Sequence, residues 1–164
     1  ASLLHMFNHA LAKGALFLAV MGLAMRFAQL DLRNLGGAAR HMPWTAAAMA
    51  VAGLSLIGIP GTAGFISKWY LVDAALDKGI PGLALVAVIV AGSLMAVVYI
   101  WRIVEALWFA EETENTPQGV REAPAAMLAL IWLAALANIY FGLVTELPRE
   151  LATVSAESLL GHLP

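Results

Sequence analysis

Three uncharged stretches of this chain are each long enough to cross a lipid bilayer as a single helix. They cover residues 42–67, 79–101 and 123–145, and about 20 helical residues are enough to span the roughly 30 Å hydrocarbon core. A fourth uncharged stretch, residues 14–25, is shorter, but apolar sequence extends upstream from it through Lys13 and two histidines to the start of the chain. Because a chain in lipid must pair its backbone polar groups internally, the sequence predicts an all-α integral membrane protein with four transmembrane helices.

The composition agrees with a membrane location and excludes several kinds of function. Hydrophobic residues make up 62% of the chain and charged residues 12%, which is about half the charged share of a soluble domain. The net charge is −2 and there is no basic tract, so we expect no nucleic-acid partner. The chain has no cysteine, which excludes disulfides, thiol catalysis and thiolate metal sites within it.

The four spans and a tail are expected to form one membrane domain over residues 1–164. The expected spans are about residues 2–27, 44–76, 81–109 and 124–145. The tail, residues 146–164, has leucines at near-helical spacing and is either a short interfacial helix or the start of a further segment. The first span lacks the basic start and the cleavage site of a signal peptide. Since the sequence begins inside an apparent helix, we expect a C-terminal fragment of a longer protein.

The second span is longer than one straight crossing requires and contains the motif "GIPGTAG". Pro60 lacks an N–H group and disfavours helix in the residue before it, while Gly61 and Gly64 permit departures from helical geometry. The sequence therefore predicts a helix broken near residues 60–64, with these three residues at the break. Broken helices in membranes line protein-buried or hydrated cavities and mark the ion pathways of transporters.

The distribution of positive charge predicts the orientation in the membrane. Loops 28–43 and 110–123, with the span ends beside them, hold the arginines Arg26, Arg33, Arg40, Arg102 and Arg121. The turn between the second and third spans and the tail hold only Lys78 and Arg149. Because cytoplasmic loops carry the excess of positive residues, we expect both loops to be cytoplasmic.

Three ionisable residues recur every four positions in the first span: His5, His9 and Lys13. Each step of four advances about 6 Å along a helix and turns it by about 40°, so the three share one face. Counting the helical rise places Lys13 roughly 18 Å from the start of the span, near the bilayer centre. An ionisable group at that depth is costly and marks a functional site, and histidine titrates near physiological pH. The pattern therefore predicts a proton-transfer chain.

Other interpretations of this ladder remain open. Lys13 can snorkel only with difficulty from mid-helix, and His5 fits a simple position at the membrane interface. Two histidines four residues apart are also a usual metal-binding pair. Zinc, however, needs three or four protein ligands in most sites, and no third ligand is evident in the sequence. We therefore expect no metal site and no cofactor in this chain.

A fourth ionisable residue, Lys68, follows the predicted break by about one helical turn. A broken helix and an ionisable group this close together suggest a second station on a proton path. The alternative is a packing kink followed by a lysine near the outer interface. The expected proton-transfer residues are thus Lys13, His9, His5 and Lys68.

Two motifs in this order resemble one known family. "HMFNHALAKGALFLAV", with its His-x3-His-x3-Lys pattern, is similar to a late helix of the antiporter-like subunits shared by respiratory complex I and Mrp-type multisubunit cation/proton antiporters. "LSLIGIPGTAGFISKWYL" is similar to the broken helix that follows it in that family. The resemblance covers about residues 2–144 and is closest to the D-type subunit of the antiporter.

The resemblance implies a transporter fold of about fourteen transmembrane helices with two inverted repeats, of which this chain is the C-terminal part. It implies that Lys13 is the central proton carrier, with His9 and His5 beside it on a hydrated axis. Lys68 would control exchange with the outer side. The implied location is the inner (plasma) membrane of a prokaryote. The implied partners are other membrane subunits of the same complex, the lipid bilayer, protons, and Na⁺ or K⁺.

The expected function is proton translocation within a multisubunit cation/proton antiporter that exchanges Na⁺ or K⁺ for H⁺. The alternative within the family is a proton-pumping membrane-arm subunit of NADH:quinone oxidoreductase or a related complex, driven by redox chemistry in partner subunits. Two other hypotheses are an intramembrane metalloenzyme that uses His5 and His9, and a structural subunit whose Lys13 and Lys68 only pair with partner carboxylates.

Overall fold

Six α-helices make up the part of the chain that the computed structural model describes, residues 1–112 and 119–161. Residues 113–118 of the second predicted cytoplasmic loop and residues 162–164 of the tail lie outside this part. The helices are α1 Ser2–Ala24, α2 Pro43–Ile57, α3 Ala63–Leu76, α4 Ile80–Val104, α5 Ala125–Leu143 and α6 Glu146–Leu160. A 3₁₀ turn at Ala38–Arg40 precedes α2, and a π-helical turn at Glu105–Phe109 continues α4. The all-α prediction is confirmed.

Three of these helices are long and apolar enough to cross a membrane. They are α1, α4 together with its π-helical turn, and α5. The second predicted span is divided into α2, with 15 residues, and α3, with 14. Each half is shorter than one crossing of about 20 residues, so the pair together would make the fourth crossing. That count of four stays a prediction.

Gly58 and Thr62 form the two ends of the break between α2 and α3. Gly58 ends α2 with φ 92°, and its N–H donates to the carbonyl of Leu54. This left-handed conformation is open to glycine at little cost. Thr62 begins α3, and its hydroxyl accepts from the N–H of Phe65. Pro60 and Gly61 lie between the two helices, and Gly61 also has a positive φ of 89°.

Gly64 does not belong to the break, contrary to the sequence-based expectation. It lies in the first turn of α3 and is buried. A Cβ atom at this position would overlap the carbonyl oxygen of Ser55 in α2. The Ser55 hydroxyl accepts from the Gly64 N–H at 3.2 Å. Gly64 therefore lets the start of α3 fold back closely against α2, which is a packing role.

Small residues bring α1, α2 and α5 together around the core. The alanines Ala12, Ala15, Ala19, Ala46, Ala52 and Ala135 are almost fully buried in these three helices. A Cβ at Gly22 of α1 would meet the side chain of Ile131 in α5 at 3.0 Å. Close approach through small residues is the usual means of helix association in membranes. The core thus lies on one side of α1 and leaves its other side open.

The other two helices pack at the edges of this core. Gly53 of α2 faces Ile100 of α4, so α4 lies against both halves of the broken helix. The tail is helical: α6 packs against the start of α1 and leaves Leu147, Leu151 and Val154 exposed.

The two loops predicted to be cytoplasmic meet at the same end of the helices. Glu122, just before α5, accepts from the backbone N–H groups of Trp44 and Thr45 at 2.9 and 3.2 Å and from the Thr45 hydroxyl at 2.6 Å. Arg26 donates to the Glu122 carbonyl oxygen at 2.9 Å. A carboxylate at the start of α2 pairs N–H groups that have no partner within the helix. Glu122 therefore fixes the start of the broken helix.

Candidate functional site

The ammonium group of Lys68 is bound by three oxygen atoms at the end of α2. Its Nζ donates to the carbonyl oxygens of Leu56 and Ile57 at 2.9 and 2.8 Å, and to the hydroxyl of Ser93 at 2.8 Å. An ammonium has three N–H donors and no acceptor, so its hydrogen bonds are complete. The two carbonyls belong to the last turn of α2, where no helical N–H follows to pair them.

The broken helix explains why Lys68 reaches those carbonyls. Lys68 lies in the second turn of α3. The chain between the two helices turns back, so that the Lys68 side chain points at the end of α2. Gly58 lies directly beside the lysine stem: a Cβ there would be 3.1 Å from the Lys68 Cδ. The carbonyl end of a helix carries partial negative charge. The ammonium is thus placed where a half-helix attracts a cation.

His5 in α1 is linked to the residue that precedes Lys68. Its Nδ1 lies 3.0 Å from the Ser67 hydroxyl, which itself donates to the Gly64 carbonyl at 3.1 Å. A serine has one hydroxyl hydrogen. In the arrangement where it is directed to Gly64, the His5 Nδ1 carries the hydrogen of the contact, and Nε2 is the acceptor of the neutral ring.

These groups line a pocket of about 220 Å³ between α1, α2, α3 and α4. Its polar lining consists of His5, His9, Lys68, Ser93 and Tyr99, and aliphatic side chains complete the wall. The rings of His5 and His9 lie 5.5 Å apart between centroids. A pocket of this size that contains several polar groups has room for water molecules. The pocket can therefore connect the two imidazoles with the lysine through water.

Lys13 is not part of this pocket. It lies one turn beyond His9 on α1, and its side chain is exposed in the described part of the chain. The structure thus brings His5, His9 and Lys68 together and leaves Lys13 on the open side of α1. His5 has a protein partner in Ser67, and its depth in the membrane stays a prediction.

Three polar groups near this pocket were not predicted from the sequence. Ser93 is the only polar residue between positions 79 and 98, and that isolation was the available signal. Ser67 had no signal beyond its place next to Lys68. Asn8 is fully buried in α1, and its amide donates to the Ala63 carbonyl at the start of α3 at 2.7 Å. Asn8 thereby attaches the second half of the broken helix to α1.

A metal site at the two histidines would need at least one further ligand. Among residues 1–112 and 119–161, no group of three or more histidine, cysteine, aspartate or glutamate side chains is close enough to hold an ion. Zinc sites in proteins take three or four such ligands.

Comparison with known proteins gives the same family along most of the chain. Residues 1–96 match the family described as NADH:quinone oxidoreductase/Mrp antiporter, transmembrane. The NADH-quinone oxidoreductase subunit N of Desulforudis audaxviator is 36% identical over 156 residues, which cover 88% of this chain and 31% of that protein. The hydrogenase-4 component B of Escherichia coli is 33% identical over 146 residues, 82% of this chain and 21% of that protein. The chain thus spans less than a third of either relative.

Two solved structures contain the same arrangement of helices. A chain of the Mrp complex from Dietzia sp. superposes with a TM-score of 0.81 at 25% identity and covers 93% of this chain and 36% of its own. A chain of the membrane-bound sulfane sulfur reductase, an archaeal respiratory membrane complex, superposes with a TM-score of 0.74 at 36% identity. That match covers 82% of this chain and 22% of the other. The resemblance seen in the sequence is confirmed.

Proposed function

The chain belongs to the NADH:quinone oxidoreductase/Mrp antiporter transmembrane family, and from that premise we propose that it carries one proton half-channel of a membrane subunit. In this proposal Lys68 exchanges protons with the pocket that contains His5 and His9. Lys13 is the next station along α1. The observation that carries the proposal is the position of the Lys68 ammonium, bound by two carbonyls of a broken helix beside a pocket that both histidines line.

The protonation state of Lys68 and the position of its side chain depend on each other in this site. The protonated side chain supplies three donors to three oxygen atoms. The neutral amine has two N–H groups and a lone pair, so it can donate to only two of the three oxygens, and its attraction to the end of α2 falls with the loss of charge. Loss of the proton therefore weakens the hold on the side chain, and uptake restores it. Such a coupling between protonation and side-chain position is what a gated proton path requires.

The histidines provide the next acceptors. With Nδ1–H directed to Ser67, the Nε2 atom of neutral His5 can take up a proton without breaking that contact. His9, one turn along α1, lies beside it at a ring distance of 5.5 Å. Water in the pocket bridges the remaining gaps. The path continues from His9 to Lys13 on the open side of α1, where helices of the complete subunit would cover it.

We propose further that the complete subunit works in a multisubunit cation/proton antiporter that exchanges Na⁺ or K⁺ for H⁺. The likeness to a chain of an Mrp complex over 93% of this chain supports this assignment. The second candidate is a proton-pumping subunit of a redox-driven complex, which the similarity to an NADH-quinone oxidoreductase subunit supports. In both cases the partners are other membrane subunits of one complex in a prokaryotic plasma membrane.

The test is Lys68→Met in the full-length subunit, assembled in its complex in inverted membrane vesicles. Methionine keeps the length and removes the charge, so ΔpH formation should fall to background while the complex still assembles. Lys78→Met, at an exposed lysine after α3, is the matched control and should transport normally. Normal transport by Lys68→Met refutes the proposal. Driving the vesicles with a Na⁺ or K⁺ gradient, or with a reduced electron donor, separates the two candidate complexes.

A further inference from the structure

The three partners of the Lys68 ammonium are not equivalent. The carbonyls of Leu56 and Ile57 are backbone groups of the same broken helix. The hydroxyl of Ser93 comes from another transmembrane helix, α4, and is the only side chain of the three. Ser93 therefore joins α4 to the end of α2 through the lysine, and it is the partner that a substitution can remove.

Ser93 also differs from the carbonyls in what it can do with a proton. A carbonyl oxygen only accepts, whereas a hydroxyl accepts one hydrogen bond and donates another. Its oxygen accepts from Lys68, and within the described residues its own hydrogen has no protein acceptor. Ser93 lines the pocket together with both histidines. Its hydrogen is thus available to water in that pocket.

We propose that Ser93 is a proton-relay residue: it holds the Lys68 ammonium at the end of α2 and passes the ammonium's proton to the pocket. This inference rests on the proposed function of Lys68. In the transfer, an Nζ–H bond breaks as an O–H bond forms at Ser93 Oγ. The original O–H bond of Ser93 breaks as its proton moves to a pocket water. Lysine ends as the neutral amine, the serine is again a neutral hydroxyl, and the charge has moved to the side of His5 and His9.

Other titratable groups near the transfer are few among the residues that the structure describes. Around the pocket they are His5 and His9 from α1, Lys68 from α3 and Tyr99 from α4, and α2 contributes none. A change at Ser93 alters the hydrogen bonding of Lys68 without adding or removing a charge. The pH dependence of transport should therefore report the role of Ser93 separately from general packing.

The experiment compares Ser93→Ala, Ser93→Thr and Ser158→Ala in the full-length subunit within its complex, with ΔpH formation measured in inverted vesicles across a pH series. Ser93→Ala should lower the initial rate about tenfold or more, the factor expected for a lost hydrogen bond to a charged group. It should also move the pH of half-maximal rate by about one unit. Ser93→Thr keeps the hydroxyl and should recover most of the rate. Ser158, exposed on α6, should tolerate alanine fully.

The outcomes separate this inference from the proposed function. If Lys68→Met is inactive while Ser93→Ala keeps the wild-type rate and pH profile, the role of Ser93 is refuted and that of Lys68 stands. If Lys68→Met itself transports normally, the proposed function is refuted. If Ser93→Ala fails to assemble, Ser93→Cys replaces it, since a thiol has a similar size but is a weak acceptor. A wild-type rate and pH profile for that variant would then overturn the inference.

Discussion

The ammonium of Lys68 lies 2.8 Å from the carbonyl oxygen of Ile57, which is the last residue of the preceding half-helix. The contact joins α3 to the end of α2 across the break. It gives two unpaired carbonyls a donor, and it gives a half-buried cation the negative end of a helix. A broken helix without such a partner would leave its backbone unpaired in the membrane. The break and the lysine therefore stabilise each other.

This relationship makes Gly58 a sensitive position. Alanine at Gly58 must adopt φ 92° and bring its Cβ to 3.1 Å from the Lys68 stem. The left-handed conformation alone costs roughly 1–2 kcal/mol for a residue with a Cβ. We expect Gly58→Ala to lower the apparent unfolding temperature of the purified complex and to reduce ΔpH formation. Differential scanning fluorimetry and vesicle assays measure the two effects.

Gly92→Ala is the matched control for that substitution. Gly92 lies inside α4 and lines the same pocket, and a Cβ added to it would have no neighbouring atom within 4 Å. Alanine is the better helix former, so stability should be unchanged or slightly higher. Equal loss of stability in both variants would show that Gly58 is not special to the break.

A second prediction concerns the packing of α5 on the break. A Cβ at Gly142 would overlap backbone atoms of Thr62. Backbone cannot move aside as a flexible side chain does, and overpacking typically costs roughly 1–3 kcal/mol. Gly142→Ala should therefore reduce the yield of assembled complex on a native gel. Gly14→Ala, where no atom lies within 4 Å, should assemble as wild type, and a normal yield for both variants would contradict this account.

The sequence predicted those parts of the fold that depend on local pattern. Apolar stretches indicated the helices α1, α4 and α5, and Pro60 with its glycines placed the break within a few residues of Gly58–Thr62. Lysine and histidine in apolar surroundings pointed to the candidate site. Each of these signals comes from the chemistry of single residues in a membrane.

Contacts between distant residues could not be read from the sequence in the same way. Glu122 caps α2 from 77 residues away at Thr45, and Lys68 reaches backbone atoms that have no sequence signature. Gly64 looked like part of the break because glycine permits both a turn and close packing. Only the approach of Ser55 distinguishes the two roles. Such contacts depend on how the folded chain brings residues that are distant in sequence next to each other.

A third prediction tests the cap at the start of α2. Glu122→Ala removes the acceptor of two backbone N–H groups and of the Thr45 hydroxyl. Losing a helix cap costs about 0.5–2 kcal/mol, and the charge of the carboxylate adds to this. The apparent unfolding temperature should fall, and Glu122→Gln should recover part of the loss. Glu150→Ala, at an exposed glutamate of α6, should leave it unchanged; an equal fall there would argue against the cap.

A fourth prediction tests the orientation in the membrane. The chain contains no cysteine, so single cysteines can be introduced into a full-length subunit whose other cysteines have been replaced. Arg33→Cys, in the first loop, should react with a membrane-impermeant maleimide only in inside-out vesicles. Lys78→Cys, after α3, should react only from the outer side of intact cells. Both residues are exposed, and the opposite labelling pattern would invert the topology.

The fifth prediction concerns Lys13, which the structure separates from the pocket. Its side chain is exposed on the open side of α1, where an ionisable group in the membrane needs a partner or water. If the proton path continues beyond His9, Lys13→Ala in the full-length subunit should abolish coupled translocation, because the station after the pocket is lost, while assembly on a native gel is preserved. Lys13→Arg keeps the charge but scarcely releases its proton, so it should assemble and remain inactive. A structural role, in which Lys13 only pairs with a partner carboxylate, predicts instead that arginine restores transport. Normal ΔpH formation by Lys13→Ala would show that the proton path does not continue from His9 to Lys13.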